Sequence, residues 1–303
     1  MIARALNIPP GSSHAPDLRT PQLPAPGAVL GRRGSLEVRL ARGRSEVEAS
    51  QALRYQVFYD ELSAHADSIT RARRLDCDGF DGICDHLLVI EQEHDPSIAR
   101  PIRVADGEVV GTYRLLRQEV AELNGGFYTA DEFDIAPLVE VRRPDLRFLE
   151  LGRSCVLKPY RTKPVLELLW QGIWNYVRLH RLDVMLGCGS LHGTDPDALA
   201  LQLSYLHHNF RAPEEWRVRA LPERYVEMCR MPRDAVDERE ALRTLPPLIK
   251  GYLRLGAHVG DGAVIDYQFN TTDVLIILPV SSISERYFSR FGAPDDFPAA
   301  VSR

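Results

Sequence analysis

The sequence predicts a single mixed α/β sheet flanked by helices, and three observations lead there. Apolar spacing alternates between strand and helix periods in the order β-α-β-β-β-α-β-α-β, with no repeat at the 20–50-residue period of a solenoid. A chain of 303 residues, 45% hydrophobic and 26% charged, can bury a large core within one domain. Its cysteines, Cys77, Cys84, Cys155, Cys188 and Cys229, form no C-x-x-C pair. That scatter suits a reducing compartment and no structural zinc, so the core must hold without staples.

Taken in order, residues 1–34 carry six prolines and four glycines and read as a mobile tail. Leu36, Val38 and Leu40 alternate with Glu37, Arg39 and Ala41 as a half-buried strand. Ser45-Glu-Val-Glu48 has the form of a capping box opening a helix through Leu53, Val57, Phe58 and Leu62. The acidic run Leu75–Asp85 has neither period and reads as loop, followed by strands at 87–90 and 109–116. A strong strand spans Phe148–Leu157, and Pro164 suits the first turn of the apolar helix after it. Asp183–Cys188 is a short strand, and Thr194-Asp-Pro-Asp197 reads as the cap of a helix through Leu199, Leu203 and Leu206. Residues 211–246 form an irregular excursion. A helix near 247–255 and two strands, Gly262–Phe269 and Asp273–Val280, complete a domain of residues 35–292 before a tail at 293–303.

A net charge of −5 argues against nucleic acid as the main partner. No apolar run reaches the roughly 18–20 residues of a membrane span, and the N-terminus lacks the apolar core of a secretory signal. The expected location is the cytoplasm, with peripheral contact at the inner membrane face open.

Chemistry concentrates after residue 148. Glu150 on its strand is either a general base for an amine or half of a cross-strand ion pair beside a bend at Gly152. Alternation places Glu150 and Gly152 on one face, Leu151 and Arg153 on the other. Lys158, Tyr160, Arg161 and Lys163 lead into a helix N-terminus, which is either an anion site or a solvated basic loop. His207 and His208 are neighbours on a helix end and poorly placed to share a metal; no metal site is assigned.

Several segments together resemble the Gcn5-related N-acyltransferase superfamily. They are Arg54-Tyr-Gln-Val-Phe58, the Asp78…Asp81…Asp85 loop, Gly111-Thr-Tyr-Arg114 and Phe148-Leu-Glu-Leu-Gly-Arg153. Within it, the branch holding acyl-homoserine-lactone synthases and ornithine-lipid-synthesising N-acyltransferases is nearer. The second group is nearer still, through Gly187–Pro196, Leu203–His208, Ala212–Trp216, Pro246–Gly256 and Phe269–Asp273. The resemblance implies a mixed, mostly antiparallel sheet completed by a C-terminal extension. It also implies transfer of a 3-hydroxy fatty acyl group from acyl carrier protein to the α-amine of L-ornithine, with no permanently bound cofactor.

Two departures refine this expectation. The superfamily's Gln/Arg-x-x-Gly-x-Gly/Ala cofactor loop corresponds to Arg161-Thr-Lys-Pro-Val-Leu166, which lacks both glycines and loses an amide at Pro164. A pyrophosphate cradle is compromised, whereas the single phosphodiester of carrier-bound phosphopantetheine needs fewer donors. Lys158, Arg161, Lys163, Arg142 and Arg143, with Arg147, then suit an acidic carrier. The lactone synthases' Phe-x-x-x-Leu-x-Trp reads Phe58, Leu62 and Ala64 here, so lactone synthesis is the weaker alternative.

The expected mechanism is direct amine attack on the thioester. Glu150 would be the base, backbone amides near Ser154, Cys155 and Val156 would hold the oxyanion, and Tyr160 would protonate sulfur. Phe58 belongs to the substrate pocket. Arg54 and Arg114 would bind ornithine's carboxylate and Asp78, Asp81 and Asp85 its ammonium groups; alternatively these residues form an internal ion network, and Arg153 fits either. A related enzyme with another amine or a coenzyme A donor, and a non-catalytic lipid-binding protein, are the competing functions.

Overall fold

The computed structural model describes residues 26–96, 98–284 and 287. Among these described residues nine strands occur, in the order β1 (Val29–Arg33), β2 (Leu36–Leu40), β3 (Asp85–Glu91), β4 (Arg103–Val104), β5 (Gly107–Arg117), β6 (Phe148–Val156), β7 (Val184–His192), β8 (His258–Asp266) and β9 (Thr271–Pro279). The helices are α1 (Arg44–Tyr55), α2 (Ser68–Arg73), α3 (Gln118–Leu123), α4 (Lys163–His180), α5 (Ala200–Phe210), α6 (Glu238–Thr244) and α7 (Pro247–Arg254). One sheet runs β1-β2-β3-β5-β6-β7-β9-β8, with β4 beside β5. Every pairing is antiparallel except β6 with β7. The predicted mixed, mostly antiparallel sheet is therefore present, and β8 and β9 complete it from the C-terminal part.

Successive side chains on a strand point to opposite faces, and β9 shows both faces covered. Val274, Ile276 and Leu278 join one buried cluster with Leu151, Ile173, Trp174 and Ile249. Leu275 and Ile277 join a second with Phe133, Leu138, Phe148 and Leu186. The long helix α4 packs on the first face. Thr162 is its N-cap residue, Pro164 sits in its first turn, and Arg181 ends it in the left-handed conformation with φ 52°.

Several local expectations need correction. Val29–Arg33, assigned to the mobile tail, pairs with β2 because Leu30 is buried in the first cluster despite its Gly and Arg neighbours. Residues 1–25 of that tail, and the tail at 293–303, lie outside the described residues. Ser45 does not cap α1. Gly43 is the N-cap residue, and Glu46 rather than Glu48 turns back, accepting from the Arg42 amide at 2.7 Å and from Arg39. The Thr194–Asp197 segment likewise stops short of capping α5, whose N-cap residue is Leu199; Asp195 accepts from the Asp197 amide at 2.9 Å instead.

Candidate active site

β6 and β7 pair only over Phe148–Glu150 against Val184–Leu186. Beyond that point they diverge. Gly187 stands at the fork, where a Cβ would lie 2.3 Å from the Leu151 carbonyl oxygen; only glycine lets the strands approach so closely before separating. A second irregularity lies on β6's other edge. Thr112 faces Cys155 and Arg114 faces Gly152, so Arg153 and Ser154 oppose Tyr113 alone. This is a β-bulge, and it holds Arg153 at φ 50°, a left-handed conformation costing about 1–3 kcal/mol in a non-glycine residue.

The gap opens into a cavity of about 890 Å³ that passes between the strands. On the first face its walls are mainly apolar, with Leu151, Val156, Leu166, Trp170, Ile249, Tyr252 and Ile276, though Lys163, Glu167, Lys250 and Arg254 of the same helices also line it. On the second they are polar, with Glu150, Arg114, Arg153, Thr129, Cys188, Asp266 and Asp273. Phe58 lines the cavity as expected and meets the edge of Phe269 at 5.6 Å between ring centroids. Trp170 supplies wall, packing against Tyr252, whereas Trp174 is core.

Glu150 is buried at the fork. It accepts from the backbone amides of Tyr128 (3.0 Å) and Thr129 (2.6 Å) and from the Thr129 hydroxyl. Burial pushes its carboxyl above the ordinary range, and those hydrogen bonds pull part of the way back. Among the described residues no arginine pairs with it, and the cross-strand ion pair does not form there. Arg153 does not take the opposite face. The bulge breaks the alternation and lays its guanidinium over the Tyr128 and Phe269 rings at 4.8 and 4.6 Å. It pairs with Asp78 at 3.2 Å.

The loop acids and arginines form the internal network. Arg54 is wholly buried, donates to Asp76 (2.7 Å) and Asp81 (2.8 Å), and does not line the cavity. Arg114 reaches Asp78 at 2.6 Å and Asp81 at 3.3 Å. Burial opposes the Asp81 charge, but Arg54 and Arg114 hold its pKa below the ordinary carboxylate value. Asp85 accepts from the Tyr176 hydroxyl at 2.6 Å. A role for Arg54 or Asp81 on the substrate is thus withdrawn, since their charges are already paired, and so is one for Asp85, which lies outside the cavity lining with Arg117 at 3.7 Å. Asp76 completes the network and was not anticipated.

Tyr160 is also withdrawn as proton donor: its hydroxyl donates to Asp95 at 2.8 Å, and it is absent from the cavity lining. A different pair is present instead. Tyr113 and Tyr252 share a 2.5 Å hydrogen bond on the cavity wall, and Ser154 hydrogen-bonds Tyr113. Cys155 lines the cavity, but burial pushes its thiol to about 12, so it is no thiolate nucleophile.

The basic residues divide between the two ends of β6, roughly 25–30 Å apart by strand rise. Lys158, Arg161 and Lys163 are exposed at its C-terminal end, and the last two line the cavity mouth. Arg161 is tied to Glu61 and the Val156 carbonyl, and Lys163 lies 3.8 Å from Glu167. Arg142 and Arg143 sit beyond the other end. Arg142 clamps the Glu214 and Arg217 carbonyls and Arg143 stacks on Trp216 at 4.5 Å, so neither belongs to a docking surface at the mouth.

Two groups escaped the residue-level reading. Glu132, Cys188 and Asp273 bring one ligand atom each within 4.8 Å of one another. Cys188 donates to Glu132 at 3.2 Å. Burial and the Asp273 charge push Glu132 up to about 7; burial and Asp266 push Asp273 up to about 6. Cys188 and Asp273 were legible only as signature positions, and Glu132 stands in a stretch without period. On the surface, His207, His208 and Cys229 also converge within 4.8 Å, although Nε2 of His208 is 2.9 Å from the Met231 carbonyl.

Residues 53–171 match the model of the acetyltransferase (GNAT) domain. The chain is 55% identical over 265 residues to the L-ornithine N(alpha)-acyltransferase of Brucella abortus, covering 88% of this chain and 92% of that one. It is 42% identical over 253 residues to the Rhodobacter capsulatus protein of the same name, covering 84% and 93%. The chain belongs to the L-ornithine N(alpha)-acyltransferase family. Solved structures similar to it include FeeM, an N-acyl amino acid synthase from uncultured soil microbes, with TM-score 0.44, 10% identity, and 84% of this chain and 97% of that one covered. The acyl-homoserine-lactone synthase LasI gives TM-score 0.41 and 13% identity over 80% and 89%. Membership makes this chain an acyltransferase enzyme. Among its described residues, no helix is long and apolar enough to cross a membrane.

Proposed function

We propose that the enzyme joins a 3-hydroxy fatty acyl group, carried on acyl carrier protein, to the α-amine of L-ornithine. The observation that carries this reading is the cavity through the sheet, mainly apolar on one face and polar on the other. It lets a thioester and an amine meet at the β6–β7 fork from opposite sides, which turns their encounter into a positioned reaction. The relatives named for ornithine support the acceptor.

Glu150 takes the proton of the α-ammonium, directly or through water; its raised pKa suits a base working near neutrality. The freed amine attacks the thioester carbonyl, the carbon–sulfur bond breaks, and the amide forms as the thiol leaves. A backbone amide of the 153–156 bulge holds the oxyanion, since a bulge leaves a strand residue unpaired. The Tyr113–Tyr252 pair offers a hydrogen bond to the departing sulfur in place of Tyr160. Arg153 receives the acceptor's carboxylate. It lines the cavity, and its buried Nε, 3.5 Å from an Asp76 oxygen, makes no hydrogen bond among the described residues. Lys163 and the open first turn of α4 face the phosphopantetheine phosphate, and Lys158 and Arg161 extend a basic rim toward the acidic carrier.

Mass spectrometry of the purified protein with 3-hydroxyacyl carrier protein and L-ornithine tests this, alongside lysine, glycine and S-adenosylmethionine and with acyl-coenzyme A as rival donor. An ornithine-dependent N-acyl product made from the carrier is the expected result. Equal product from acyl-coenzyme A would sink the donor assignment, and equal use of glycine the acceptor.

A further inference from the structure

We propose that Asp273, backed by Asp266 and Glu132, seats the distal ammonium of the acceptor and so selects a diamino acid. This rests on the acylation reading only for which amine reacts. Asp273 stands on β9 opposite Ser190 of β7 and Val264 of β8, on the face that carries Leu275 and Ile277. It is only 6% exposed, yet it lines the cavity. Its Oδ1 has no hydrogen-bond partner among the described residues; the Ser190 and Thr271 hydroxyls and the Arg153 charge favour the carboxylate, but Arg153 pairs with Asp76 and Asp78 rather than with Asp273. Asp266 lines the same chamber, its Oδ1 held by the amides of Gln268 (2.7 Å) and Phe269 (2.9 Å). Glu132 lies behind, reached through Cys188.

A buried carboxylate with one oxygen unbonded and two like charges nearby is costly unless a cation enters with the substrate. Of the loop acids, Asp78 and Asp81 are neutralised by Arg54, Arg114 and Arg153, and Asp85 lies outside the cavity lining with Arg117 at 3.7 Å, so they have no such need. The chamber also has the right connectivity. Glu150 binds Thr129, whose hydroxyl lies 4.0 Å from Cys188 Sγ, and Cys188 in turn adjoins Glu132 and Asp273. The base and the distal acids therefore share one chamber, as the two amines of a three-carbon side chain require. An acceptor without a distal amine would enter and leave Asp273 uncompensated, which is how a site rejects an analogue lacking one polar group.

Isothermal titration of the full chain, dialysed against EDTA, with L-ornithine and L-norvaline tests the assignment without needing a donor. Norvaline keeps the carbon skeleton and lacks only the distal amine. Ornithine should bind roughly tenfold to a hundredfold tighter, the range for one hydrogen bond to a charged group. Asp273→Asn should bring ornithine down to the norvaline level, leave norvaline unchanged, and not lower the thermal midpoint. Wild-type binding that is equal for both or undetectable would overturn the proposal, as would a folded variant weakened equally toward both. Ornithine selectivity that chelation abolishes would assign the Glu132–Cys188–Asp273 cluster to a metal and overturn it too. Selective binding without N-acyl product from any donor would leave this inference standing and remove the proposed reaction.

Discussion

The molecule holds two clusters of buried acids on either side of Arg153, and they are built on opposite principles. In the Arg54–Asp76–Asp81–Arg114–Asp78 network, guanidinium groups meet carboxylates at 2.6–2.8 Å, and Asp81 is held below its ordinary pKa. In the Glu132–Cys188–Asp273 cluster, the one ion pair among the described residues is Arg224 with Glu132 at 3.6 Å; burial and Asp273 push Glu132 upward, and burial and Asp266 push Asp273 upward. Charge compensated within the chain orders the chain. Charge left uncompensated beside a cavity awaits a ligand.

The largest effect that would break this contrast lies in the first cluster. Arg54→Met strands Asp76 and Asp81 without their buried partner and should cost about 3–5 kcal/mol of stability, measured by urea unfolding. Ornithine affinity in whatever fraction stays folded should be unchanged; a specific loss of ornithine binding would return Arg54 to the substrate site.

Glu150 sits between the two regimes, raised by burial yet satisfied by three donors. Glu150→Gln should slow single-turnover acylation roughly a hundredfold or more, about 2.7 kcal/mol of barrier, while the wild type shows an acid limb above the usual carboxylate range. Near-normal turnover by the variant would make Glu150 a structural acceptor only.

The smallest effect separates the clusters by pH. A carboxyl whose folded pKa is raised binds more protons in the folded state between its unfolded and folded values. Its contribution to stability therefore falls as pH rises from about 4.5 toward about 7 for Glu132. Asp81, with a lowered pKa, loses its contribution only as pH drops below the ordinary carboxylate value. Glu132→Gln should thus raise the thermal midpoint at pH 8 and have little effect near pH 4, with Asp273, Asp266, Arg224 and Arg153 setting the local field. A midpoint that falls at pH 8 would mean Arg224 compensates Glu132 fully.

Much of this was legible in the residues. Glycine in the Glu150-Leu-Gly-Arg153 strand pointed to a bend, and Phe58 and Glu150 do line the cavity. Alternation failed at Arg153 because a bulge inserts a residue that no period announces. The loop aspartates were ambiguous because spacing cannot say which arginine reaches them first. Asp273 and Glu132 lie 141 positions apart by their numbers, and no local pattern links them.

Element types, the mixed sheet and the family resemblance followed from the sequence alone, because periodicity and ordered motifs are properties of short segments. Tertiary structure alone decided which acids are neutralised and which are not. It withdrew Arg54, Tyr160 and Arg142 from the site and brought in Tyr252 and Asp273. The physical reason is that desolvation and charge pairing depend on neighbours across the sheet, fixed by the splay of β6 from β7 rather than by distance along the chain.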